Sequence, residues 1–172
     1  MSLLESLMTP EDCAKCQFCC SFRRCSLWET PIFTAEEIEK LSESYPEAKF
    51  KKIRNNGCDG FMIDVDANYT SDDPEEEVFC TFNKGKGCIM KDGVDKSFEC
   101  SAWPFRVMKK DGKTVIAYCK DCRVFAKKSI DEIRSLLDSG LGKKMTEYAK
   151  QKPVYIRDYR ENYCVLKILD EA

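Results

Sequence analysis

Histidine is missing altogether from this sequence, and several kinds of chemistry go with it. Mixed cysteine–histidine zinc sites and histidine-rich catalytic zinc sites need imidazole ligands, as do many copper(II), nickel and non-haem iron centres. Any general base has to be a carboxylate, lysine, tyrosine or thiolate. Long apolar runs are missing too. No window approaches the roughly 18 residues of a membrane span, so no membrane partner is expected. The charge excess of a nucleic-acid binder is also lacking, because the net charge is -2. Lysines do cluster at 49–52, 109–113 and 127–128, each near acids, and these read as solvated faces. No nucleic-acid partner is expected. The stretch Met1–Met8 has no basic region, and Glu5 breaks its apolar run, unlike a secretory leader. The expected location is cytoplasmic.

Cysteine is what the chain has in excess: 12, at positions 13, 16, 19, 20, 25, 58, 80, 88, 100, 119, 122 and 164. Disulfides need an oxidising compartment, and in a reducing cytosol so many free thiols are an oxidation liability unless something uses them. Metal is the usual use. Without imidazole the site is all-thiolate, or thiolate with carboxylate, which favours zinc or iron, including an iron–sulfur cluster. The remaining composition is that of an ordinary globular protein, 43% hydrophobic and 34% charged.

Local signals place the elements. Thr9-Pro10-Glu11-Asp12 starts a helix, with Thr9 as cap and acids in the first turn. Continued through Cys20, that helix puts positions 13, 16 and 20 on one face; a knuckle loop leaves the choice between Cys19 and Cys20 open. Thr34-Ala-Glu-Glu37 is a capping box before a helix at about 35–44, and Ser129-Ile-Asp-Glu132 is another. Residues 61–65 and 78–82 are candidate strands, separated by an exposed loop with five acids from Asp72 to Glu77. The strongest local signal is a pair of β-prone runs, 105–110 and 113–119, around Asp111-Gly112. A further helix spans about 142–152 before Pro153. Residues 155–169 carry no clear assignment. No internal repeat or low-complexity segment is present. The fold expected is α+β: a small hairpin-rich antiparallel sheet with flanking helices, organised around cysteine-ligated metal. Residues 1–172 form a single domain in this reading, with a metal-binding core at 10–125 and a mostly helical extension at 126–172.

The sharpest motif is Cys13-x2-Cys16-x2-Cys19-Cys20, four cysteines in eight residues. A Cys-x2-Cys spacer turns the backbone around an ion and lets two sulfurs reach it at roughly 2.3 Å. Cys119-x2-Cys122 has the same spacing. It follows a hairpin strand, as in a zinc-ribbon knuckle, and not the βαβ setting of a redox pair. Cys80, Cys88 and Cys100 have uninformative spacing, but Gly85, Gly87 and Gly93 between them permit tight turns. Cys25, Cys58 and Cys164 stand alone and read as free thiols. The ferredoxin pattern fails after Cys19, because position 23 is Arg.

These residues together resemble the CxxCxxCC family of zinc- or iron-chelating proteins. The resemblance rests on Cys13, Cys16, Cys19 and Cys20, then Cys80 and Cys88, then Cys100-Ser-Ala-Trp-Pro104, and covers about residues 10–125. Where family members often carry Arg-Pro before the last cysteine and Arg after it, this chain has Lys96-Ser97 and Ser101. Cys119 and Cys122 resemble the further downstream cysteines of some members. The resemblance implies a metal more than a reaction, although the same domain occurs in flagellin lysine N-methylases.

The function expected is therefore metal binding at one or two all-cysteine sites. The candidate ligands are Cys13, Cys16, Cys19, Cys20, Cys80, Cys88, Cys100, Cys119 and Cys122. The alternative is an iron–sulfur oxidoreductase or lysine N-methylase-like enzyme, with a pocket beside the metal that contains Trp103, Phe105 and Tyr118. No glycine-rich nucleotide loop follows a strand, and no residue stands out as catalytic.

Overall fold

The computed structural model describes Leu4, residues 6–91 and residues 93–169. Part of the non-leader reading of the N-terminus, at residues 1–3 and 5, lies outside the described residues. Helix α1 (Pro10–Cys16) opens as a reciprocal capping box: the Asp12 N–H donates to the Thr9 hydroxyl, and the Thr9 N–H donates to the Asp12 carboxylate at 3.0 Å. Two amides that helix geometry would orphan are thereby satisfied. The helix ends at Cys16 because Gln17 turns left-handed, with φ of 52°. A 3-10 turn, Phe18–Cys20, follows. Of the two readings of this segment, the structure has the knuckle.

The chain continues through β1 (Ser21–Phe22), β2 (Ile32–Phe33), α2 (Ala35–Ser44), β3 (Phe50–Asn55), β4 (Cys58–Ile63) and β5 (Val78–Phe79). Next come α3 (Phe98–Ala102), β6 (Phe105–Lys110), β7 (Lys113–Cys119), α4 (Ile130–Leu136), α5 (Gly142–Gln151), β8 (Arg157–Asp158) and β9 (Tyr163–Leu169). The fold is α+β, with three small sheets in the strand orders β1-β5, β2-β4-β3 and β8-β6-β7-β9. All pairs are antiparallel except β6 with β8. The Asp111-Gly112 hairpin forms as read. Residues 58–63 are a strand reaching further back than 61–65, and 78–82 shrinks to the two residues of β5. The segment after 126 supplies α4 and α5, but its end is β9, which pairs with β7 from Thr114 to Cys119. The extension is therefore built into the hairpin sheet.

Two large apolar cores result, beside a small third cluster of Ile32, Val154 and Tyr155. The first gathers β6, β7, α4 and α5 around Phe105, Met108, Ile116 and Ile133, with Cys119 and Cys122 buried in it and Cys13 and Cys19 packed against it. The second gathers Phe22, Phe33, Leu41, Ile63 and Phe82, with Cys80 buried in it and Cys20, Cys88 and Cys100 packed against it. No described helix is long and apolar enough to cross a membrane.

Candidate metal centre

Six cysteines from separate parts of the chain line one cavity of about 320 Å³: Cys13, Cys19, Cys20, Cys80, Cys88 and Cys100. Helix α1 and its knuckle supply the first three. Cys80 lies just past β5, and its N–H donates to the Cys20 carbonyl at 2.8 Å, which ties the two cysteine backbones together. Cys88 ends a tight turn closed by a bridge between Asn83 and Cys88. That turn needs Gly87, whose φ is 101° and whose missing Cβ would sit 3.0 Å from the Ala14 Cβ. Gln17 clamps the turn to α1: its amide donates to the Gly85 carbonyl at 3.0 Å and accepts from Asn83 at 3.2 Å. Cys100 sits in the first turn of α3, where its N–H donates to the Ser97 cap at 3.2 Å. Phe22, Pro31, Met90 and Trp103 supply the apolar wall, and Lys91, Lys96, Glu29, Glu99 and Arg106 the charged one.

Cys20, Cys80, Cys88 and Cys100 lie within electrostatic range of one another in all six pairings. Burial pushes Cys80 up to about 12, Cys88 up to about 11 and Cys100 well above the ordinary thiol range. Cys20 moves the other way, because its hydrogen bond with Cys19 and the nearby Lys96 ammonium favour its thiolate. The Cys19 and Cys20 sulfurs are 3.8 Å apart. Cys19 is hydrogen-bonded to both Cys13 and Cys20 and is held well above the usual thiol range.

Cys16, Cys119 and Cys122 do not line this cavity. Cys122 instead lies within electrostatic range of Cys16, Cys13 and Cys119. The Asn162 amide donates to the Cys119 sulfur at 3.7 Å and to the Asp121 carboxylate at 3.0 Å. Burial pushes Cys119 up to about 12. The three cysteines read as free thiols also stand apart from the cavity: Cys25 is exposed, and Cys58 and Cys164 are partly buried. Among the described residues no three Cys, Asp or Glu side chains converge in an arrangement that could hold one ion. The thiols are grouped without being drawn together. Of the three aromatics expected beside the centre, Trp103 lines the cavity. Phe105 packs edge-on against Phe125 at 5.4 Å in the first core, and Tyr118 lies partly buried on β7.

The sequence reading missed the charged floor of the cavity. Glu99, fully enclosed, accepts from the Ile32 N–H at 2.7 Å and from Arg157 through Nε at 2.7 Å and Nη2 at 2.6 Å, and it pairs with Arg106. Burial alone would raise the Glu99 pKa, but the two guanidiniums hold it below its ordinary value. Glu29, at the cavity wall, is raised by burial. The available signal was an arginine inside an otherwise apolar strand run, Phe105-Arg-Val-Met108. No protein-family profile, curated protein or solved structure matches the chain.

Proposed function

We propose that the protein binds a thiophilic metal ion, zinc or iron, through Cys20, Cys80, Cys88 and Cys100. The observation that carries this reading is the mutual grouping of four thiols, in all six pairings, from four separate places in the chain. A cysteine sulfur swings about a single χ1 torsion. Convergence on an ion therefore needs side-chain rotation on backbones of which those of Cys20 and Cys80 are already hydrogen-bonded together. Four thiolates suit zinc in a tetrahedral site, or iron, and no imidazole is needed. A bound zinc supplies a fixed coordination centre, and an iron–sulfur cluster supplies electron transfer. Lys96 lies near Cys20 and Cys88 and offsets the negative charge that thiolates bring. Thiols held for this purpose belong in a reducing compartment, consistent with the cytoplasm.

The cavity favours a second reading. One water takes about 30 Å³ of liquid volume, so about 320 Å³ leaves space beside an ion for a small molecule. That suits an iron–sulfur oxidoreductase or a lysine N-methylase-like enzyme. Anaerobic purification, with elemental analysis and a visible spectrum on the same sample, separates the two. Zinc without a visible band supports the first reading; iron with acid-labile sulfide and broad absorption supports the second. Cys100→Ser is expected to remove at least one metal equivalent per chain, and an unchanged metal content would refute the assignment.

A further inference from the structure

We infer that the chain holds a second all-thiolate position, bordering the cavity only through Cys13, where Cys13 and Cys16 of α1 meet Cys119 at the end of β7 and Cys122 just beyond it. The inference rests on the reading that these thiols bind metal, and it assigns to this position a closed, zinc-type site. Three observations carry it.

The first is the division of the candidate ligands between the two larger apolar cores. Cys13, Cys19, Cys119 and Cys122 belong to the core of the hairpin sheet, and Cys20, Cys80, Cys88 and Cys100 to the other. The border falls between the neighbours Cys19 and Cys20. Three of the proposed ligands, Cys13, Cys119 and Cys122, thus share one core apart from the group of Cys20, Cys80, Cys88 and Cys100, while Cys16, at the end of α1, is part of neither core.

The second is the meeting of two Cys-x2-Cys pairs from distant parts of the chain. Cys13 and Cys16 lie three apart on α1 and so share a face of the helix. Cys119 and Cys122 are turned toward one another by the Cys122 N–H donating to the Cys119 carbonyl at 3.4 Å. Cys122 lies within range of Cys16 and Cys13, and Asp12 of the same helix lies within range of Lys128. Helix α1 therefore runs alongside the segment after β7. Two short-spaced pairs that meet through Cys122 supply the ligand count of a structural zinc site.

The third is the surroundings. Three of the four ligands, Cys16, Cys119 and Cys122, stand outside the cavity wall, and only Cys13 lines it. The Asn162 amide already donates to the Cys119 sulfur, the kind of outer contact that orients a thiolate ligand. Cys19, hydrogen-bonded to Cys13 on one side and Cys20 on the other, lies between the positions and belongs to neither ligand set.

The test is zinc stoichiometry on the full chain, read by elemental analysis after removal of loosely bound metal. Wild type is expected to hold two equivalents and Cys19→Ser also two. Cys122→Ser and Cys100→Ser are each expected to hold one, and their combination none. If Cys122→Ser keeps the wild-type content, or if either single variant loses all metal, the second position is refuted. A wild type holding one equivalent that Cys122→Ser does not disturb refutes this inference alone, whereas a wild type holding none refutes the metal reading itself. Cadmium NMR on the loaded wild type avoids any loss of folding in the variants. Two resonances are expected, one coupled to the β-protons of Cys13, Cys16, Cys119 and Cys122; a single resonance overturns the proposal.

Discussion

Glu99 is the residue on which most of the buried polar structure depends. Its carboxylate is the partner of both Arg106 and Arg157, and both guanidiniums are buried. Arginine does not give up its proton in proteins, so only a carboxylate can balance this pair. The arginines' remaining donors are used as well. Arg106 donates to the Glu29 carbonyl and the Tyr163 hydroxyl, each at 2.9 Å, and Arg157 donates to the Thr30 carbonyl at 2.7 Å and to that of Trp28. One carboxylate and two guanidiniums thus fasten the segment before β2 to α3, β6, β8 and β9. Glu99 is the residue before Cys100, so the network also fixes where that cysteine's backbone lies. Glu99→Gln keeps the shape and removes the charge. Breaking a buried pair this way costs about 3–5 kcal/mol, and urea unfolding at neutral pH is expected to show a loss of that order. A loss below about 1 kcal/mol, in the range of an exposed pair, would mean that Glu29 takes over the role. Nothing local in the sequence singles out Glu99, because its partners lie 7 and 58 positions away.

Elements were legible where the signal was short-range. The caps at Thr9, Thr34 and Ser129 each close within three residues, and all three form. Asp111-Gly112 turns with φ of 49° and 76°, as a tight hairpin between β-prone runs requires. The same turn occurs at Asn56-Gly57, with φ of 48° and 74°. Its sequence signal is weak because its first strand, Phe50-Lys-Lys-Ile-Arg-Asn55, is mostly polar and sits at the edge of its sheet. Strand β9 had no local signature either, since its partner β7 lies some fifty residues earlier and the register shifts between Ile116 and Ala117. The acidic loop shows a further local device. The Glu76 carboxylate accepts from the Thr70 and Ser71 hydroxyls at 2.7 and 2.8 Å and from their N–H groups at 2.7 and 2.9 Å. The Thr70 hydroxyl and N–H, followed by those of Ser71, lower its pKa from 4.5 to about 2. A carboxyl lowered on folding stabilises most above its unfolded pKa and loses that contribution as pH falls through its folded value. The loop is therefore expected to hold at pH above 4.5 and to loosen toward about pH 2. The Thr70 and Ser71 amide resonances should titrate near about 2 and lose that transition in Glu76→Gln. A midpoint near 4.5 would show that these hydrogen bonds do not persist in solution.

At the scale of the whole molecule, the cysteine run turns out to be a junction. Its residues could be picked out from spacing, but their allocation could not, because it depends on which core each sulfur packs against. The border between Cys19 and Cys20 is a property of tertiary structure, and so is the grouping of Cys20 with Cys80, Cys88 and Cys100. The proposed ligand sets differ in what else holds them. The strands β6, β7 and β9 are joined by long antiparallel ladders over a core that includes Met108, Val115, Ile116 and Ala117. Helix α1 is seven residues long and the sheet of β1 and β5 has two residues per strand. Helices this short are marginal on their own, and a two-stranded pair gains little more. Metal is therefore expected to stabilise the α1 knuckle and the segment from Cys80 to Cys100 far more than the hairpin sheet. Binding at 100 times the dissociation constant contributes about 2.7 kcal/mol, equivalent to about 5–10 °C in Tm for a chain of this length. Chelation should lower Tm by that amount while amide exchange accelerates at residues 10–22 and 78–100. The ladders of β6, β7 and β9 should stay protected, since local opening draws on the least-packed parts first. Uniform acceleration across the chain would show instead that the metal holds both cores as one cooperative unit, and that the border at Cys19 and Cys20 does not divide the molecule's stability.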